Sequence, residues 1–137
     1  MASLKCDIVT PGAKLFCGEV HMVVVPGVEG EMGFLYHHVP LVSTLADGVV
    51  RVQTEQDGET LQYALQGGYV EVTGEKVIVL ADRAIPVPEI DVAAAKTQLA
   101  ELEAWHAALP EGDAEKTVIP ADIAWYKVQL AAAGEAA

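Results

Sequence analysis

The sequence predicts a mainly β domain followed by two α-helices, on three observations. Residues 1–88 contain 16 valines and 6 alanines, whereas residues 89–137 contain 3 valines and 15 alanines. Valine favours pleated strands and alanine favours helices. Apolar and polar residues alternate with a period of two in the first part, and apolar residues recur every three or four positions in the second. We therefore place the domain boundary between residues 88 and 89, at Pro86 and Pro88.

The alternation in the first part indicates half-buried antiparallel strands. The apolar sets are Leu4, Cys6 and Ile8, then Leu61, Tyr63 and Leu65, then Val70 and Val72. Turn signals fall between the strands, at Pro11–Gly12, Asp47–Gly48, Asp57–Gly58, Gly67–Gly68 and Gly74. About eight short strands with such turns, and with no helical pattern between them, predict a sandwich or a barrel.

The second part predicts two helices that pair as an antiparallel hairpin. Asp91 is a good N-cap for the first helix, and Pro120 suits the first turn of the second. The first apolar stripe is Ala95, Leu99, Leu102, Trp105 or His106, and Leu109, with Pro110 as the stop; the second is Ile123, Tyr126, Val128 and Leu130, before Gly134. Neither helix would be stable alone in water, so we expect the stripes to face each other.

The composition is that of an acidic globular protein. Of the 137 residues 52% are hydrophobic, and 20 acidic against 8 basic side chains give a formal charge of −12. That field repels nucleic acid and anionic lipid, so basic protein surfaces are the better partners. The apolar runs are too short to span a bilayer and no secretory leader is present, so we expect a cytosolic chain without direct membrane insertion and with reduced Cys6 and Cys17.

The stretch VVVPGVEGEMGFLYHHVPLVSTL, residues 23–45, holds the most unusual local pattern. Its G-x-x-G-x-x-G spacing is neither a dinucleotide fingerprint nor a P-loop, and the glutamates between the glycines would repel a phosphate. The adjacent His37 and His38 would point to opposite sides of a strand and could not hold one metal ion. No nucleophile, base or carboxylate pair stands out, so the residues predict no catalytic, metal or cofactor site.

Three segments carry a resemblance to a known family. VPGVEGEMGFLYHHVPLVSTLADGVVRV resembles the glycine-rich loop and following strands of the epsilon subunits of bacterial F-type ATP synthases, the counterparts of mitochondrial delta. GGYVEVTGEKVIVLADRAI resembles the final hairpin of their β domain, and EIDVAAAK the start of their first helix. The likeness covers about residues 4–105, with the motifs in the family's order.

The resemblance implies a ten-stranded β-sandwich over residues 1–88 that docks to the rotor stalk and the c-ring. Residues 89–137 would then be a mobile, regulatory helical hairpin. Such a chain is a non-catalytic central-stalk subunit, which couples ion-driven c-ring rotation through the gamma subunit to ATP synthesis. It would work at the cytoplasmic face of the bacterial inner membrane, as a peripheral part of a proton-translocating complex.

The resemblance also implies which residues meet the partners. Glu31 falls at the acidic position of the loop facing the c-ring, with Glu29 beside it, and His38 and Pro40 match the histidine and proline that shape the gamma-facing surface. Gly27, Gly30 and Gly33 would permit positive φ angles and close approach of a neighbouring subunit, or serve only tight turns. Tyr36 departs from the proline or glycine usual before the histidine.

The resemblance implies little for nucleotide binding. Ile90, Asp91 and Ala95 match the family's ATP motif, but its arginine position is Ala94, so only a remnant of the motif is left and we expect no bound cofactor.

Inhibition of ATP hydrolysis through contacts with the catalytic alpha and beta subunits would be weak. Lys116 and Lys127 stand among several acids in the second helical stretch. Trp125, Tyr126 and Leu130 could supply apolar contacts there or pack on the first helix.

A different class of function is also compatible with the residues: an unrelated β-sandwich ligand-binding module with a helical arm. It would have a small-molecule pocket and would not associate with gamma.

Overall fold

The structure is a computed structural model that describes residues 4–36, 39–56, 58–109 and 119–134. The chain divides into two compact units, Met1–Pro86 and Val87–Ala137, each with its own hydrophobic cluster. The boundary expected between residues 88 and 89 falls within a 3₁₀ turn, Val87–Glu89, at the start of the second unit.

Over its described residues the first unit forms ten strands in two five-stranded sheets. The strands are β1 Leu4–Thr10, β2 Ala13–Val20, β3 Met22–Gly27, β4 Gly30–Phe34, β5 Leu41–Thr44, β6 Gly48–Gln53, β7 Thr60–Gln66, β8 Tyr69–Val72, β9 Lys76–Leu80 and β10 Arg83–Pro86. Sheet A has the order β2-β1-β9-β8-β5, and sheet B the order β10-β7-β6-β3-β4. The predicted ten-stranded sandwich is confirmed, and the barrel that the alternation alone left open is wrong.

One strand pair departs from the antiparallel pattern. Strands β1 and β9 run parallel, with Cys6 opposite Val77 and Ile8 opposite Val79, whereas the other pairs among the described strands are antiparallel. Alternation shows which face of a strand is buried, but it does not show the direction of the neighbouring strand. The sequence therefore predicted the buried residues and missed this pairing.

The sandwich core consists of residues from both sheets that point inward at every second position. It includes Leu4, Cys6, Ile8, Val20, Val23, Val25, Phe34, Leu45, Val50, Val52, Tyr63, Leu65, Val70, Val72, Val77, Val79 and Ala81. All of the predicted inward residues are in this core except Leu61, which is partly buried against it. Branched side chains suit this position because they pack closely on a pleated surface.

The Gly67–Gly68 pair connects β7 in sheet B to β8 in sheet A. Gly68 has a φ of 97°, and a Cβ there would overlap the carbonyl oxygen of Leu80. The Gly67 amide donates to the Asp47 carboxylate over 2.9 Å. Only glycine fits the second position, because both the φ angle and the space exclude a side chain.

The second unit holds helices α1 Val92–Ala108 and α2 Ile119–Ala132. Asp91 caps α1, since its Oδ1 accepts from the Ala94 amide at 2.9 Å, as predicted. Ala95 and Leu99, near the start of α1, pack with Leu130, near the end of α2, which is the arrangement of an antiparallel pair.

The rest of the helical interface is only partly buried. Val92, Ile123 and Tyr126 add partly buried contacts to the cluster. His106 is half-buried and Trp105 is 68% exposed, so the apolar stripe of α1 continues through His106. The predicted stop at Pro110 lies outside the described residues.

The two cysteines lie on neighbouring strands but on opposite faces of sheet A. Cys6 pairs with Gly18 and points into the core, whereas Cys17 pairs with Asp7 and is exposed. Both are free thiols. Burial raises the pKa of the Cys6 thiol to about 12, with smaller contributions from Asp7 and Cys17, so Cys6 is a small apolar core residue.

Candidate protein-docking site

The glycine-rich stretch forms a tight hairpin between β3 and β4. Gly27 pairs with Gly30 and closes a two-residue turn of Val28 and Glu29. Gly30 has a φ of 129°, which favours glycine. A Cβ on Gly27 would lie 2.7 Å from the Gly30 carbonyl oxygen and 2.8 Å from Met32 Cε. The tight turn alone therefore accounts for these two glycines.

Gly33 is different, because nothing in the turn requires it. A Cβ on Gly33 would meet only Val24 Cγ2, at 3.8 Å, which is an ordinary contact. Gly33 leaves the outer face of β4 without a side chain two positions beyond Glu31. Close approach of a neighbouring subunit to this bare backbone stays a prediction.

The hairpin is fixed to the opposite sheet. The Ala46 amide donates to the Pro26 carbonyl over 2.7 Å, and the Val28 amide donates to the Thr44 carbonyl over 3.4 Å. An isolated bridge joins Gly27 to Leu45. Since β3 belongs to sheet B and Thr44 ends a strand of sheet A, the turn is bonded to both layers of the sandwich.

The two acidic residues of the hairpin have different surroundings. Glu29 lies exposed at the tip, and within the described chain its carboxylate has no ion-pair or hydrogen-bond partner. Glu31 is held by Arg51 of β6 through two contacts, Oε2 to Nη1 at 2.9 Å and Oε1 to Nη2 at 3.2 Å. Of these two hairpin acids, Glu29 therefore has the uncompensated charge within the described chain.

An open depression of about 460 Å³ lies between the hairpin and β5. Its lining is Gly27, Val28, Glu29, Gly30, Glu31, Met32, Val42, Ser43 and Thr44. Val28 is 60% and Val42 68% exposed, so apolar surface lies beside the two carboxylates. A polypeptide with a basic and an apolar side chain close together would complement this depression.

A second surface lies on the outer face of sheet A. Val9, Leu80 and Tyr69 lie side by side in one apolar row across β1, β9 and β8, which we name the outer strip. Tyr69 is 50% exposed. Exposed aromatic and branched residues in a continuous patch are typical of a protein interface.

An ion cluster borders the outer strip. Asp7 lies 3.2 Å from Lys76 and 3.9 Å from Lys14, and its side chain is only 13% exposed. Burial opposes ionisation of Asp7, but the Cys17 thiol, which donates to it, and the two ammonium groups outweigh that effect and hold the pKa of this carboxyl below its ordinary value.

The structure brings some of the expected interface residues together and not others. Glu29, Gly30 and Glu31 line one depression, whereas Gly33 and the exposed Pro40 lie outside its lining. His38 lies outside the described residues. Sequence reasoning missed Arg51 and Val42; an arginine between the buried Val50 and Val52 could have been placed on an outer face, but not opposite Glu31.

The described residues hold no group of three or more histidines, cysteines or acids placed to bind a metal ion. In the ATP-motif remnant, the Asp91 carboxylate is engaged by the Ala94 amide as a helix cap.

Residues 3–87 match the family model of the ATP synthase delta/epsilon chain, beta-sandwich domain. The chain belongs to this family. The predicted relationship to epsilon subunits is confirmed, and the alternative of an unrelated ligand-binding module is wrong. The chain is thus a non-catalytic stalk subunit of the rotor of an ATP synthase.

Individual relatives agree with the family match. The chain is 45% identical over 92 residues to the ATP synthase epsilon chain of Pelotomaculum thermopropionicum, covering 67% of each chain. It is 47% identical over 85 residues to that of Helicobacter acinonychis, covering 62% of this chain and 68% of the relative. A chain in the Euglena gracilis mitochondrial ATP synthase, solved with OSCP, F1 and c-ring, matches with a TM-score of 0.68 at 25% identity, covering 95% of this chain and 76% of that one.

Among the described residues, neither α1 nor α2 has both the length and the apolar character that a transmembrane helix requires.

Proposed function

We propose that this epsilon-family chain clamps the gamma subunit to the c-ring and passes ion-driven rotation to the catalytic head. The observation that supports this most is the acidic hairpin bonded to both layers of a fully packed sandwich. A close-packed body deforms little, so a load applied at the hairpin reaches the opposite layer without much loss. In this proposal protons drive the rotation, and the complex lies at the cytoplasmic face of the bacterial inner membrane.

The depression beside the hairpin is the proposed c-ring contact. Glu29 and Glu31 would meet a cationic side chain of a ring loop, and Val28 and Val42 would cover the aliphatic part of that side chain. Cationic groups with long stems bury the stem along apolar surface while the charge meets an acid. This arrangement explains why acids and exposed valines occur side by side here.

The outer strip of sheet A is the proposed gamma contact. Tyr69 supplies exposed apolar area, and the Asp7 cluster supplies a charged border. Apolar patches with charged rims bind tightly when the centre loses its water. Pro40, which directly precedes β5, lies at the margin of this surface.

The helical hairpin would regulate hydrolysis only weakly. Leu130 and Tyr126 pack in the hairpin's own cluster, so they are not available for catalytic alpha and beta subunits while the pair is closed. Of the lysines considered for that contact, Lys127 is exposed and Lys116 lies outside the described residues.

The test uses the chain in complex with gamma, with binding to purified c-ring measured at several salt concentrations. We expect Glu29→Lys and Glu31→Lys each to weaken ring binding by about tenfold or more, because a cation then faces a cation. Glu59→Lys is the matched control, since Glu59 is an exposed acid in the β6–β7 connection, at the opposite end of sheet B. Equal ring binding by all three variants would contradict the proposed ring contact.

A second arm tests the gamma contact. Tyr69→Ala removes the aromatic side chain of the outer strip and is expected to weaken gamma binding by about tenfold or more, as for a buried interface anchor. Trp105→Ala removes an even more exposed aromatic, at 68% against 50% for Tyr69, from the helical unit and should leave gamma binding unchanged. Weaker gamma binding by Trp105→Ala, with unchanged binding by Tyr69→Ala, would instead place the gamma contact on the helices.

A further inference from the structure

The ion pair between Glu31 and Arg51 crosses a whole strand. Val24 of β3 pairs with Gly33 on one side and Arg51 on the other, whereas Glu31 pairs with Pro26, two residues further along. Arg51 and Glu31 therefore do not lie in the same cross-strand row. The guanidinium reaches diagonally over β3 to contact both carboxylate oxygens.

The sheet leaves room for this diagonal reach. Gly33 has no side chain on the outer face of β4, in the row where Arg51 starts, and Val24 between them is small. A long side chain at residue 33 would stand beside Glu31 on the same face. The glycine that the turn does not require thus keeps the space between Arg51 and Glu31 open.

The contact fixes the direction of the Glu31 carboxylate. A guanidinium is a planar fork of donors that matches both oxygens at once, which a lysine ammonium cannot do. Each carboxylate oxygen has a second lone pair, and the Glu31 side chain is still 56% exposed. The carboxylate is held from one side while its other side faces solvent.

We propose that Arg51 is a positioning residue of the docking site, which holds Glu31 in the orientation that the partner's cation requires. This inference rests on the proposed function, because the cation belongs to the c-ring. In this proposal Arg51 acts through Glu31 and not by binding the ring itself.

The two acids then have separate tasks. Glu29 has no partner in the described chain, so its charge attracts a cationic surface at long range and mainly sets the association rate. Glu31 is neutralised by Arg51 and adds little at long range. Its fixed carboxylate forms a directed hydrogen bond in the bound state and mainly sets the dissociation rate.

A purely structural role would have a different signature. Both partners are partly exposed, at 40% for Arg51 and 56% for Glu31, and exposed ion pairs add little to fold stability. Docking kinetics and thermal unfolding should therefore separate for variants of Arg51.

The test measures association and dissociation of the complex of this chain with gamma on immobilised c-ring. Arg51→Lys keeps the positive charge but removes the planar set of N–H donors that contacts both Glu31 oxygens. We expect the complex to dissociate about five to ten times faster, with an unchanged association rate and an unchanged unfolding midpoint. Arg83→Lys, the same change on β10 at the other edge of sheet B, is the control and should match the wild type. An Arg51→Lys variant that dissociates at the wild-type rate would overturn the proposal.

A charge swap provides the second variant. Glu31→Arg combined with Arg51→Glu keeps an ion pair across β3 but moves the carboxylate to β6, so ring binding should fall although the chain stays folded. A swapped chain that binds like the wild type would overturn the proposal, because the orientation of the acid would then be irrelevant. Absence of ring binding by the wild-type complex would overturn the proposed function and this inference together, whereas wild-type binding with no Arg51 effect would overturn the inference alone.

Discussion

The sandwich and the helical hairpin differ in how much core each contains. Sheets A and B enclose a continuous layer of fully buried branched residues, whereas the described helical hairpin buries only three apolar residues, Ala95, Leu99 and Leu130, together with the polar Gln129. Burial of a branched side chain contributes roughly 1.5–3 kcal/mol. The sandwich therefore has a large reserve of stability and the helical pair a small one.

This difference matches the tasks proposed for the two units. A rotor body must not yield under load, and dense packing gives stiffness. A regulatory element must open at modest cost, which a small cluster permits. Both tryptophans, Trp105 and Trp125, lie in the helical unit, so tryptophan fluorescence reports on the hairpin and hydrogen exchange of strand amides reports on the sandwich.

The largest expected effect comes from the sandwich core. Leu65→Ala removes a side chain that is 0% exposed and leaves a cavity, which should cost about 3–4 kcal/mol of sandwich stability. Strand amides should then exchange faster, while the denaturant midpoint seen by tryptophan fluorescence stays in place. A shift of the fluorescence midpoint by the same free energy would show that the two units unfold as one.

The corresponding substitution in the helical hairpin is Leu130→Ala, which also removes a side chain that is 0% exposed. We expect a loss of about 2–3 kcal/mol confined to the helices, since a small cluster relaxes around the missing side chain more easily. The fluorescence midpoint should fall and the exchange of the strand amides should not change. Faster exchange in β1 or β9 would contradict the independence of the two cores.

A smaller effect is expected at Asp7, and it depends on pH. The pKa of this carboxyl is lowered in the folded state, so its ionised form stabilises the sandwich above its ordinary pKa of about 4. That contribution is lost as the pH falls through the folded pKa. Asp7→Asn should cost about 1–2 kcal/mol at neutral pH and flatten the decline of stability below about pH 5.

Urea unfolding at pH 7 and at pH 3 checks this prediction. Glu71→Gln, an exposed position on the same face of sheet A, is the control and should keep the wild-type acid profile. An Asp7→Asn variant with an unchanged acid profile would show that the two lysines do not stabilise the ionised carboxylate.

The smallest effect concerns the start of α1. Asp91→Ala removes the hydrogen bond to the Ala94 amide and should destabilise the hairpin by about 1 kcal/mol, with no effect on the sandwich. Asp91→Asn keeps an acceptor and should restore most of the loss. Hydrogen exchange should show the largest loss of protection at the amides of residues 92–95 in Asp91→Ala. Equal protection of these amides in Asp91→Ala and Asp91→Asn would contradict a capping role for Asp91.

Local patterns predicted the fold well where one residue's environment decides its conformation. The alternation around Cys6 and Ile8 located the core face of β1, and Asp91 located the start of α1, because faces and caps depend on neighbouring residues. The choice between Trp105 and His106 could not be made from spacing, since adjacent positions fit a helical period about equally.

The docking site was less predictable because its key contact joins distant residues. The glycine spacing and the acids located the β3–β4 hairpin. The ion pair between Glu31 and Arg51, however, joins residues that are 20 positions apart in the sequence. It depends on the register of β3 with both β4 and β6, which no local pattern specifies. The acid taken from the family resemblance thus proved to be the paired one, and Glu29 the unpaired one.

The parallel pairing of β1 with β9 has a consequence for synthesis. Strand β1 leaves the ribosome well before its partner β9, Lys76–Leu80, which comes near the end of the sandwich. Until then the nascent chain carries an unpaired edge on β1, with backbone groups that could join a strand of a neighbouring nascent chain. Chaperone protection on the ribosome therefore matters most until β9 has left the ribosome and paired with β1.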